Sequence, residues 1–391
     1  MANFDFTANR SFDDLYNAFM PLSRQTFPGG DRFNPDYMDT GAKVHENGDV
    51  DFGFYAPNAN KVSVVFGIKA GEPLAMTKDA KGVWRVKLAY NDNFVGPKAF
   101  HFDVDGAPVL SAYCPHYFSH GISINFVEIP DKNTPYVLIK DVPHGSVNWE
   151  FYWSKYLEDW HRCLVYTPPG YEKGGEYPVL YLQHGGGENE TSWVFNGKAA
   201  HIMDNLIAEK KITPFVVVMN NGMVRGKNEA PMSAGQAFTA TLIESCIPFI
   251  EGKYKVKKDK WSRAMAGFSM GSMQSSIIGL TNPDKFAYIG LLSGFMRRLG
   301  PNYDTDISLE TNPHLAIMDD SERFQKEIKL YYRGIGSGDV HFKAFLKDDE
   351  MCDEKGWSKY PNLIRHVIDD YPHDWAVLRI LLHDFAQRIF K

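Results

Sequence analysis

The feature that most constrains the fold of this chain is a Gly-x-Ser-x-Gly pattern made by Gly267, Ser269 and Gly271. An apolar run at residues 264–266 precedes it, and further apolar residues follow at 270, 273, 277 and 278. This order predicts a short strand, a sharp turn at the serine and a helix. The glycines are needed because the turn is strained and the strand and helix pass close to each other. The pattern therefore predicts a serine hydroxyl presented at the edge of a sheet.

A second motif lies upstream, at the end of another predicted strand. Residues 178–184 run from an apolar segment into His184, and three glycines follow. In the α/β-hydrolase fold, a His-Gly-Gly-Gly loop supplies backbone N–H groups to an oxyanion hole. We therefore predict that Gly186, Gly187 and Met270, the residue after the serine, contribute N–H groups to such a hole. The alternative is an ordinary glycine turn after a strand.

The order Ser…Asp/Glu…His predicts an acid and a histidine downstream of Ser269. His373 is the preferred histidine because it lies in a loop just before a helical stretch that continues to residue 390. His383 falls inside that helix and His366 lies in an amphipathic run, so both are expected to be structural.

Asp339 is the preferred acid because it lies in the turn after a predicted strand at residues 329–336, where the acid of an α/β-hydrolase belongs. An ordinary turn aspartate is the alternative, since a Ser-Gly-Asp sequence favours turns in any case. Three other aspartates are weaker candidates because they are too close in sequence to His373: Asp369, Asp370 and Asp374.

Five ordered motifs resemble carbohydrate esterase family 1, which includes feruloyl esterases and acetyl xylan esterases. They lie at residues 166–171, 184–193, 204–209, 266–271 and 373–375. The resemblance covers residues 135–391 and implies a triad of Ser269, His373 and Asp339. The chain departs from the family pattern in having Tyr-Pro before the histidine and Val340 after the acid.

The chemistry implied is acyl transfer to a serine. Neutral His373 takes the proton of Ser269, and Asp339 holds the imidazole in the required tautomer. We expect no metal ion and no organic cofactor. The four cysteines lack the spacing of a metal site and are expected to be buried thiols: Cys114, Cys163, Cys246 and Cys352.

The N-terminal third has a different pattern. Residues 50–66 alternate with period two, and strand-like segments follow at 82–88 and 99–106. We predict a small all-β, immunoglobulin-like sandwich over residues 41–130, after an N-terminal extension, residues 1–40, with a short helix at 12–20. The sandwich resembles the early-set domains grouped with carbohydrate-binding module family 48. Four aromatic residues are candidates for stacking on a sugar, although packing is preferred for each: Trp84, Tyr113, Tyr117 and Phe118.

The remainder, residues 131–391, alternates predicted strands with helical stretches. The strands are predicted at 162–167, 179–184, 215–219, 263–268, 287–292 and 329–336. This alternation predicts an α/β class domain with the doubly wound, largely parallel sheet of an α/β-hydrolase. A segment rich in Pro and Asp, residues 130–143, is the predicted passage between the two domains.

Composition gives no indication of a nucleic-acid or membrane partner. The formal net charge is −6, whereas nucleic-acid binders and proteins of anionic membranes carry basic surfaces. No apolar run reaches the roughly 20 residues of a transmembrane helix. No signal peptide is visible in this chain, whereas the family resemblance favours a secreted protein. The sequence leaves the compartment, the redox state of the cysteines and the oligomeric state open.

The resemblance implies an acylated plant polysaccharide or oligosaccharide, such as arabinoxylan, as substrate, with a feruloyl ester preferred. Met223 and Met232 are predicted to line the acyl pocket, because methionine adapts to a flat aromatic acid. Trp193 and Trp375, which belong to the family motifs, are further substrate-binding candidates. The alternatives are an acetyl xylan esterase, an enterobactin-type siderophore esterase and a catalytically silent carbohydrate-binding protein.

Overall fold

The computed structural model describes residues 40–67, 72–119, 121–226, 236–297 and 311–391. The chain forms two compact units, Met1–Asp141 and Val142–Lys391. Their boundary falls within the passage predicted at residues 130–143. The short helix predicted at residues 12–20 lies outside the described residues, and so does Met232.

The described part of the first unit consists mainly of short strands. They are β1 (Gly41–Val44), β2 (Val50–Tyr55), β3 (Val62–Phe66), β4 (Leu74–Ala75), β5 (Thr77–Lys78), β6 (Val83–Leu88), β7 (Gly96–Val104), β8 (Ala107–Val109), β9 (His116–Ser119) and β10 (Ile122–Ile129), followed by a 3₁₀ turn at Pro135–Val137. One antiparallel sheet has the order β1-β2-β6-β5. The second has the order β4-β3-β7-β10-β9, with β8 paired to β7.

The two sheets of the first unit share one hydrophobic core. Phe52 of the first sheet packs edge to face on Phe100 of the second, with ring centroids 5.1 Å apart. Trp84 is buried in this core, and its indole N–H donates to the Ala56 carbonyl at 2.9 Å. This packing follows from the period-two pattern, because alternate residues of each strand point to the same face.

The other three aromatic residues considered for sugar contact differ in exposure. Tyr117 is buried and packs on Phe126, with ring centroids 5.6 Å apart. Tyr113 is half-buried, and Phe118 is 37% exposed. Among these residues and Trp84, only Phe118 therefore presents a large part of its ring to solvent.

The second unit is built on an eight-stranded sheet. Its strands are β11 (Ser146–Ser154), β12 (Asp159–Thr167), β13 (Val179–Gln183), β14 (Val216–Asn220), β15 (Arg263–Phe268), β16 (Tyr288–Leu292), β17 (Leu330–Gly336) and β18 (Leu363–Ile368). The order is β11-β12-β14-β13-β15-β16-β17-β18. The pairs β11–β12 and β12–β14 are antiparallel, and the other five are parallel. The sheet is therefore mixed, with a parallel central and carboxyl-terminal part.

Helices connect these strands. In the described residues they are α1 (Ser192–Phe195), α2 (Ala199–Ala208), α3 (Gln236–Ala240), α4 (Ile247–Lys253), α5 (Met270–Thr281), α6 (Ser321–Glu327), α7 (Phe342–Glu354) and α8 (Trp375–Ala386), with 3₁₀ turns at Tyr171–Lys173, Lys260–Ser262, Pro313–Asp319 and Trp357–Lys359. A π-helical stretch, Thr241–Cys246, joins α3 to α4. None of the helices in the described part of the chain has the length and hydropathy needed to cross a membrane.

The central strands are buried on both faces, which explains their near-continuous apolar sequences. Every residue of β13, β14, β15, β16 and β17 is buried. Because these strands are parallel, the loops after their carboxyl ends meet at one edge of the sheet. Ligands of open α/β sheets bind at this edge, and each candidate catalytic residue lies in one of the loops that follow the parallel strands.

The antiparallel edge of the sheet carries an exposed aromatic ribbon, formed by Trp149, Phe151, Trp153 and Trp160. These side chains are 47–64% exposed. The first three alternate along β11, and Trp160 lies opposite Trp153 on β12, with ring centroids 5.7 Å apart. Arg162 stands over the ring of Trp149 at 5.8 Å. The ribbon is an outward face, because the intervening residues of β11 are buried.

Candidate active site

Ser269 occupies a strained turn between β15 and α5. Its φ of 51° and ψ of −110° are rare for a residue other than glycine. A Cβ on Gly267 would lie 2.4 Å from the Gly271 carbonyl carbon. A Cβ on Gly271 would lie 2.7 Å from the His184 carbonyl oxygen. Both glycines are therefore required by close backbone approach.

Asp339 and His373 are joined directly. Asp339 follows β17 and His373 follows β18, and His373 Nδ1 lies 2.8 Å from Asp339 Oδ2. The carboxylate is fully buried, whereas the imidazole is 18% exposed. A buried carboxylate bonded to Nδ1 leaves the opposite nitrogen, Nε2, free of the proton and able to act as a base.

The surroundings of Asp339 favour its ionised form. Burial alone would raise its pKa, but hydrogen bonds from His373 and Ser293, the charge of His373 and the His341 N–H outweigh burial. The pKa of Asp339 therefore lies below its ordinary value. His341 N–H donates to Oδ1 at 2.7 Å, and Oδ2 accepts from the other two groups.

Ser293 is a site residue that the motifs did not predict. It directly follows β16, is fully buried and has a φ of 52°. Its hydroxyl donates to Asp339 Oδ2 and lies 3.2 Å from His373 Nδ1. The available signal was its position, since a serine after a buried parallel strand lies at the same sheet edge as Ser269.

His373 packs between two rings. Phe268, the residue before Ser269, lies 4.8 Å from it, and His341 lies 4.7 Å from it, measured between ring centroids. Burial, followed by the charge of His373, lowers the pKa of His341. Among the described residues, no hydrogen bond joins Ser269 to His373. Such bonds are often long in unliganded enzymes and shorten when substrate binds.

The predicted oxyanion loop follows β13. The Gly187 N–H points at the Met223 sulfur at 3.4 Å, and Gly187 has a φ of 77°, which suits glycine. Gly186 is half-buried. Met270 is the first residue of α5, so its N–H is among the groups that have no partner within the helix. Met223, a predicted acyl-pocket residue, therefore lies at the predicted oxyanion loop.

His184 connects two loops at the sheet edge. Its Nε2 accepts from the Gly222 N–H at 2.9 Å, so the proton is on Nδ1, which lies 2.7 Å from the Gly185 carbonyl. Burial lowers the pKa of His184 to about 4. The ring is neutral at neutral pH and holds the oxyanion loop against the loop after β14.

Trp193 and Trp375 lie beneath the site rather than in an open pocket. Trp193 is 1% exposed and Trp375 is 5% exposed. Their rings pack edge to face with centroids 5.0 Å apart. The Trp193 indole N–H donates to the Gln183 carbonyl at 2.8 Å, and that of Trp375 donates to Glu188 Oε1 at 3.0 Å. In this structure both indoles are interior packing residues with satisfied N–H groups.

The remaining histidine and cysteine candidates lie in strands or helices or are buried. His366, in β18, lies 2.7 Å from the Tyr332 hydroxyl and 2.9 Å from Asp384. His383 lies within α8. All four cysteines are buried free thiols. In the part of the chain that the structure describes, no group of three or more His, Cys, Asp or Glu side chains is placed to hold a metal ion.

The mixed, largely parallel sheet and the strained serine turn define an α/β-hydrolase-like fold. The family described as putative esterase matches residues 154–377. The chain belongs to this esterase family, and the resemblance to carbohydrate esterase family 1 is confirmed. The likeness of the first unit to carbohydrate-binding module family 48 stays a prediction.

A relative among characterised proteins combines two activities in its name. The chain is 39% identical over 259 residues to an endo-1,4-beta-xylanase/feruloyl esterase of Xylanibacter ruminicola. The match covers 64% of this chain and 36% of that protein. The match therefore spans about a third of the length of this relative.

Two kinds of solved structure share the fold. A carbohydrate esterase family 1 ferulic acid esterase from Anaeromyces mucronatus matches with a TM-score of 0.54 at 22% identity, over 66% of this chain and 95% of that one. The enterobactin esterase of Shigella flexneri matches with a TM-score of 0.62 at 14% identity, over 88% of this chain and 94% of that one. At these identities the likeness concerns the fold.

Proposed function

We propose that this protein is a serine carboxylic-ester hydrolase that removes acyl groups from plant cell-wall polysaccharide such as arabinoxylan, with feruloyl groups as the preferred substrate. The observation that carries this proposal is the buried Asp339–His373 pair beside the strained turn of Ser269. The feruloyl preference is supported by the relative whose name combines xylanase and feruloyl esterase.

In the proposed reaction, Ser269 Oγ attacks the ester carbonyl carbon while His373 Nε2 takes the hydroxyl proton. The same nitrogen then returns the proton to the leaving alcohol oxygen, and the acyl group stays on the serine. Water, deprotonated by His373, attacks the acyl-enzyme, which releases the acid. Asp339 stabilises the imidazolium formed in each half-reaction, because it is ionised, buried and bonded to Nδ1.

The negative charge of the tetrahedral intermediate would be met by backbone N–H groups of Gly186, Gly187 and Met270. The Gly187 N–H has only a thioether acceptor, Met223, at 3.4 Å. Sulfur is a weak acceptor, so an oxyanion can replace it at little cost. Each such donor is typically worth about 3 kcal/mol in the transition state.

We further propose that the first unit is an early-set, immunoglobulin-like sandwich that helps to bind polymeric substrate. Its two sheets with one core support the architecture. We propose residues 41–130 for this sandwich and residues 131–391 for the esterase domain. Phe118 is the candidate for sugar stacking that has an exposed ring.

The direct test is Ser269→Ala, with turnover of methyl ferulate as the measurement. We expect a loss of roughly 10³-fold or more, because only binding and the oxyanion hole remain. Ser275→Ala is the matched control, since its hydroxyl on the same helix only bonds the Gly271 carbonyl. A serine-directed phosphonate should label the wild type at Ser269. Near-normal turnover by the Ser269→Ala variant would disprove a serine mechanism.

The substrate class is tested by a panel of methyl ferulate, a chromogenic acetate and enterobactin. Preference for ferulate supports the proposal, and preference for acetate indicates an acetyl esterase. The siderophore is included because the enterobactin esterase fold extends over 88% of this chain, more than the second unit alone. Turnover of the siderophore alone would replace the polysaccharide assignment.

A further inference from the structure

Glu188 is a buried acid that the reaction described above does not use. It follows the three glycines of the oxyanion loop and is 6% exposed. Its Oε2 accepts the Gly185 N–H at 3.0 Å, and its Oε1 accepts the Trp375 indole N–H at 3.0 Å. The side chain therefore turns inward and connects two segments of the chain that are far apart in sequence.

The two partners of Glu188 belong to two different parts of the site. Gly185 begins the oxyanion loop. Trp375 is the first residue of α8, two positions after His373, and its neighbour Asp374 caps that helix by accepting the Ala376 N–H at 2.9 Å. One carboxyl group thus bonds the loop that would bind the oxyanion to the segment that carries the proposed base.

Phe268 fills the space between these segments. Its ring lies 5.5 Å from the Trp375 ring and 4.8 Å from the His373 ring. A Cβ on Gly185 would lie 2.6 Å from the same ring. Since Ser269 follows Phe268, a shift of either bonded segment would be transmitted to the serine turn through close packing.

The chemistry of Glu188 fits a bridge between two donors. A carboxylate is an acceptor at both oxygens, whereas an amide carries one acceptor and one donor group. Burial raises the pKa of Glu188 to about 7, against the opposing hydrogen bonds from Gly185 and Trp375, and no cation contributes. A buried acid without a cation costs stability, and such groups are concentrated at functional sites.

We propose that Glu188 is a positioning residue whose carboxyl group fixes the oxyanion loop relative to the histidine segment. The inference rests on the proposed function, because its kinetic consequence is the placement of oxyanion donors and base around one ester. Misplacement of reacting groups by about 1 Å can cost 10²-fold in rate. The bridge should therefore act on kcat and leave the binding of small esters nearly unchanged.

The first test compares Glu188→Gln and Trp375→Phe with wild type on a chromogenic acetate. The first substitution keeps the size of the side chain but leaves an amide that can accept from only one N–H, and the second removes the indole donor. We expect kcat to fall about 10-fold or more in each variant, with KM changed less than about threefold. The double variant should be no worse than the more damaging single variant, because both substitutions remove one shared interaction.

Trp357→Phe is the control, since Trp357 is a fully buried tryptophan in a separate core cluster. It should lower stability and leave kcat unchanged. A wild-type kcat in Glu188→Gln, or strictly additive effects in the double variant, would overturn the bridge.

The second test detects the bridge by hydrogen exchange followed by mass spectrometry and needs no measurement of ester turnover. Glu188→Gln should speed exchange in two segments, residues 184–190 and 371–377, and Trp357→Phe in neither. Faster exchange in the first segment alone would mean that Glu188 supports only its own loop, and the bridge would be wrong. If the wild-type protein has no esterase activity, the proposed function is wrong. The exchange result would still decide whether the two segments are coupled.

Discussion

At the scale of single residues, the proposed acid carries more hydrogen bonds than it needs to orient one imidazole. Asp339 accepts from His373 Nδ1, the Ser293 hydroxyl and the His341 N–H. Two donors hold the carboxylate, and the carboxylate then holds the ring. The backbone of Ser293 is strained, with a φ of 52°, and strain at a buried polar residue is a common property of functional sites.

We predict that Ser293→Ala lowers kcat/KM about 10-fold, because a hydrogen bond to a charged group is worth roughly 1.5–3 kcal/mol. The loss should be far smaller than the roughly 10⁴-fold expected for Asp339→Asn, which alters the imidazole tautomer. Ser337→Ala is the control, since that hydroxyl accepts only the Asp370 N–H in the turn. Equal activity of the two alanine variants would remove Ser293 from the site.

The raised pKa of Glu188 predicts a pH-dependent stability. The pKa is about 7 in the folded protein against an ordinary 4.5. The folded state therefore holds a proton that the unfolded state has lost, and stability decreases as the pH rises from 4.5 through 7. Since one pKa unit corresponds to about 1.4 kcal/mol, the free energy of unfolding of Glu188→Gln relative to wild type should rise by about 2–3 kcal/mol between pH 5 and pH 8.

Urea unfolding at the two pH values measures this difference. Glu150→Gln is a suitable comparison, because Glu150 is a buried acid that pairs with Lys253 and Tyr254. A pH-independent difference between Glu188→Gln and wild type would show that Glu188 is ionised throughout. Increased stability together with decreased kcat would identify Glu188 as a site where stability is given up for activity.

The sequence predicted the residues that belong to a motif better than those that support it. The motif order indicated Asp339 and His373, and the structure joins them at 2.8 Å. Ser293 and Glu188 act through contacts between loops that are distant in sequence, so no local pattern reveals them. Trp375 was considered for substrate contact because it belongs to a family motif, but its ring is buried.

At the scale of elements, the unit of β15, Ser269 and α5 depends on how closely the helix approaches the sheet. Gly271, in the first turn of α5, lies against the end of β13, and a Cβ there would be 2.7 Å from the His184 carbonyl and 2.8 Å from Gln183 Cβ. Backbone atoms cannot yield at such distances. The position of the oxyanion loop is therefore coupled to the position of α5.

We predict that Gly271→Ala moves α5 away from the oxyanion loop, lowers kcat at least about 10-fold and destabilises the protein by about 1–3 kcal/mol, the usual range for overpacking. Gly252→Ala is the matched control, because Gly252 lies in α4 with open space around its Cβ position. There the change should stabilise the protein by about 0.5–1 kcal/mol. Thermal unfolding and ester turnover measure both variants.

The strands that precede the predicted oxyanion loop, Ser269 and Asp339 were predicted well because they are buried on both faces and read as apolar runs. The prediction of residues 263–268 coincides with β15. The two edge strands were missed. In β11 the aromatic residues point outward and the buried positions include Glu150 and Ser154, which reverses the usual pattern. β18 has one buried residue and otherwise half-buried or exposed ones, so it resembles an amphipathic segment.

At the scale of the whole molecule, the groups proposed for catalysis all belong to the second unit, Val142–Lys391. A small ester needs only these groups. We predict that a protein limited to residues 142–391 loses a larger share of its activity on arabinoxylan than of its activity on methyl ferulate. The reason is that polymer binding would use the first unit.

The measurement is the ratio of ferulate released from arabinoxylan to methyl ferulate hydrolysed, for full-length and truncated proteins with matched circular dichroism. A Phe118→Ala variant of the full chain tests one exposed ring of the first unit without truncation. An unchanged ratio in both would mean that the first unit is a structural element and binds no substrate.

The aromatic ribbon on β11 and β12 also has an optical consequence. Trp149, Trp153 and Trp160 are 47–64% exposed, and Trp261 is 42% exposed. The other four of the eight tryptophans, Trp84, Trp193, Trp357 and Trp375, are buried. The emission of the native protein is therefore the sum of a red-shifted part that iodide can quench and a blue-shifted part that it cannot. Three of the four exposed tryptophans lie on one face of one hairpin. A molecule that covers this face should therefore lower the fraction of the emission that iodide quenches.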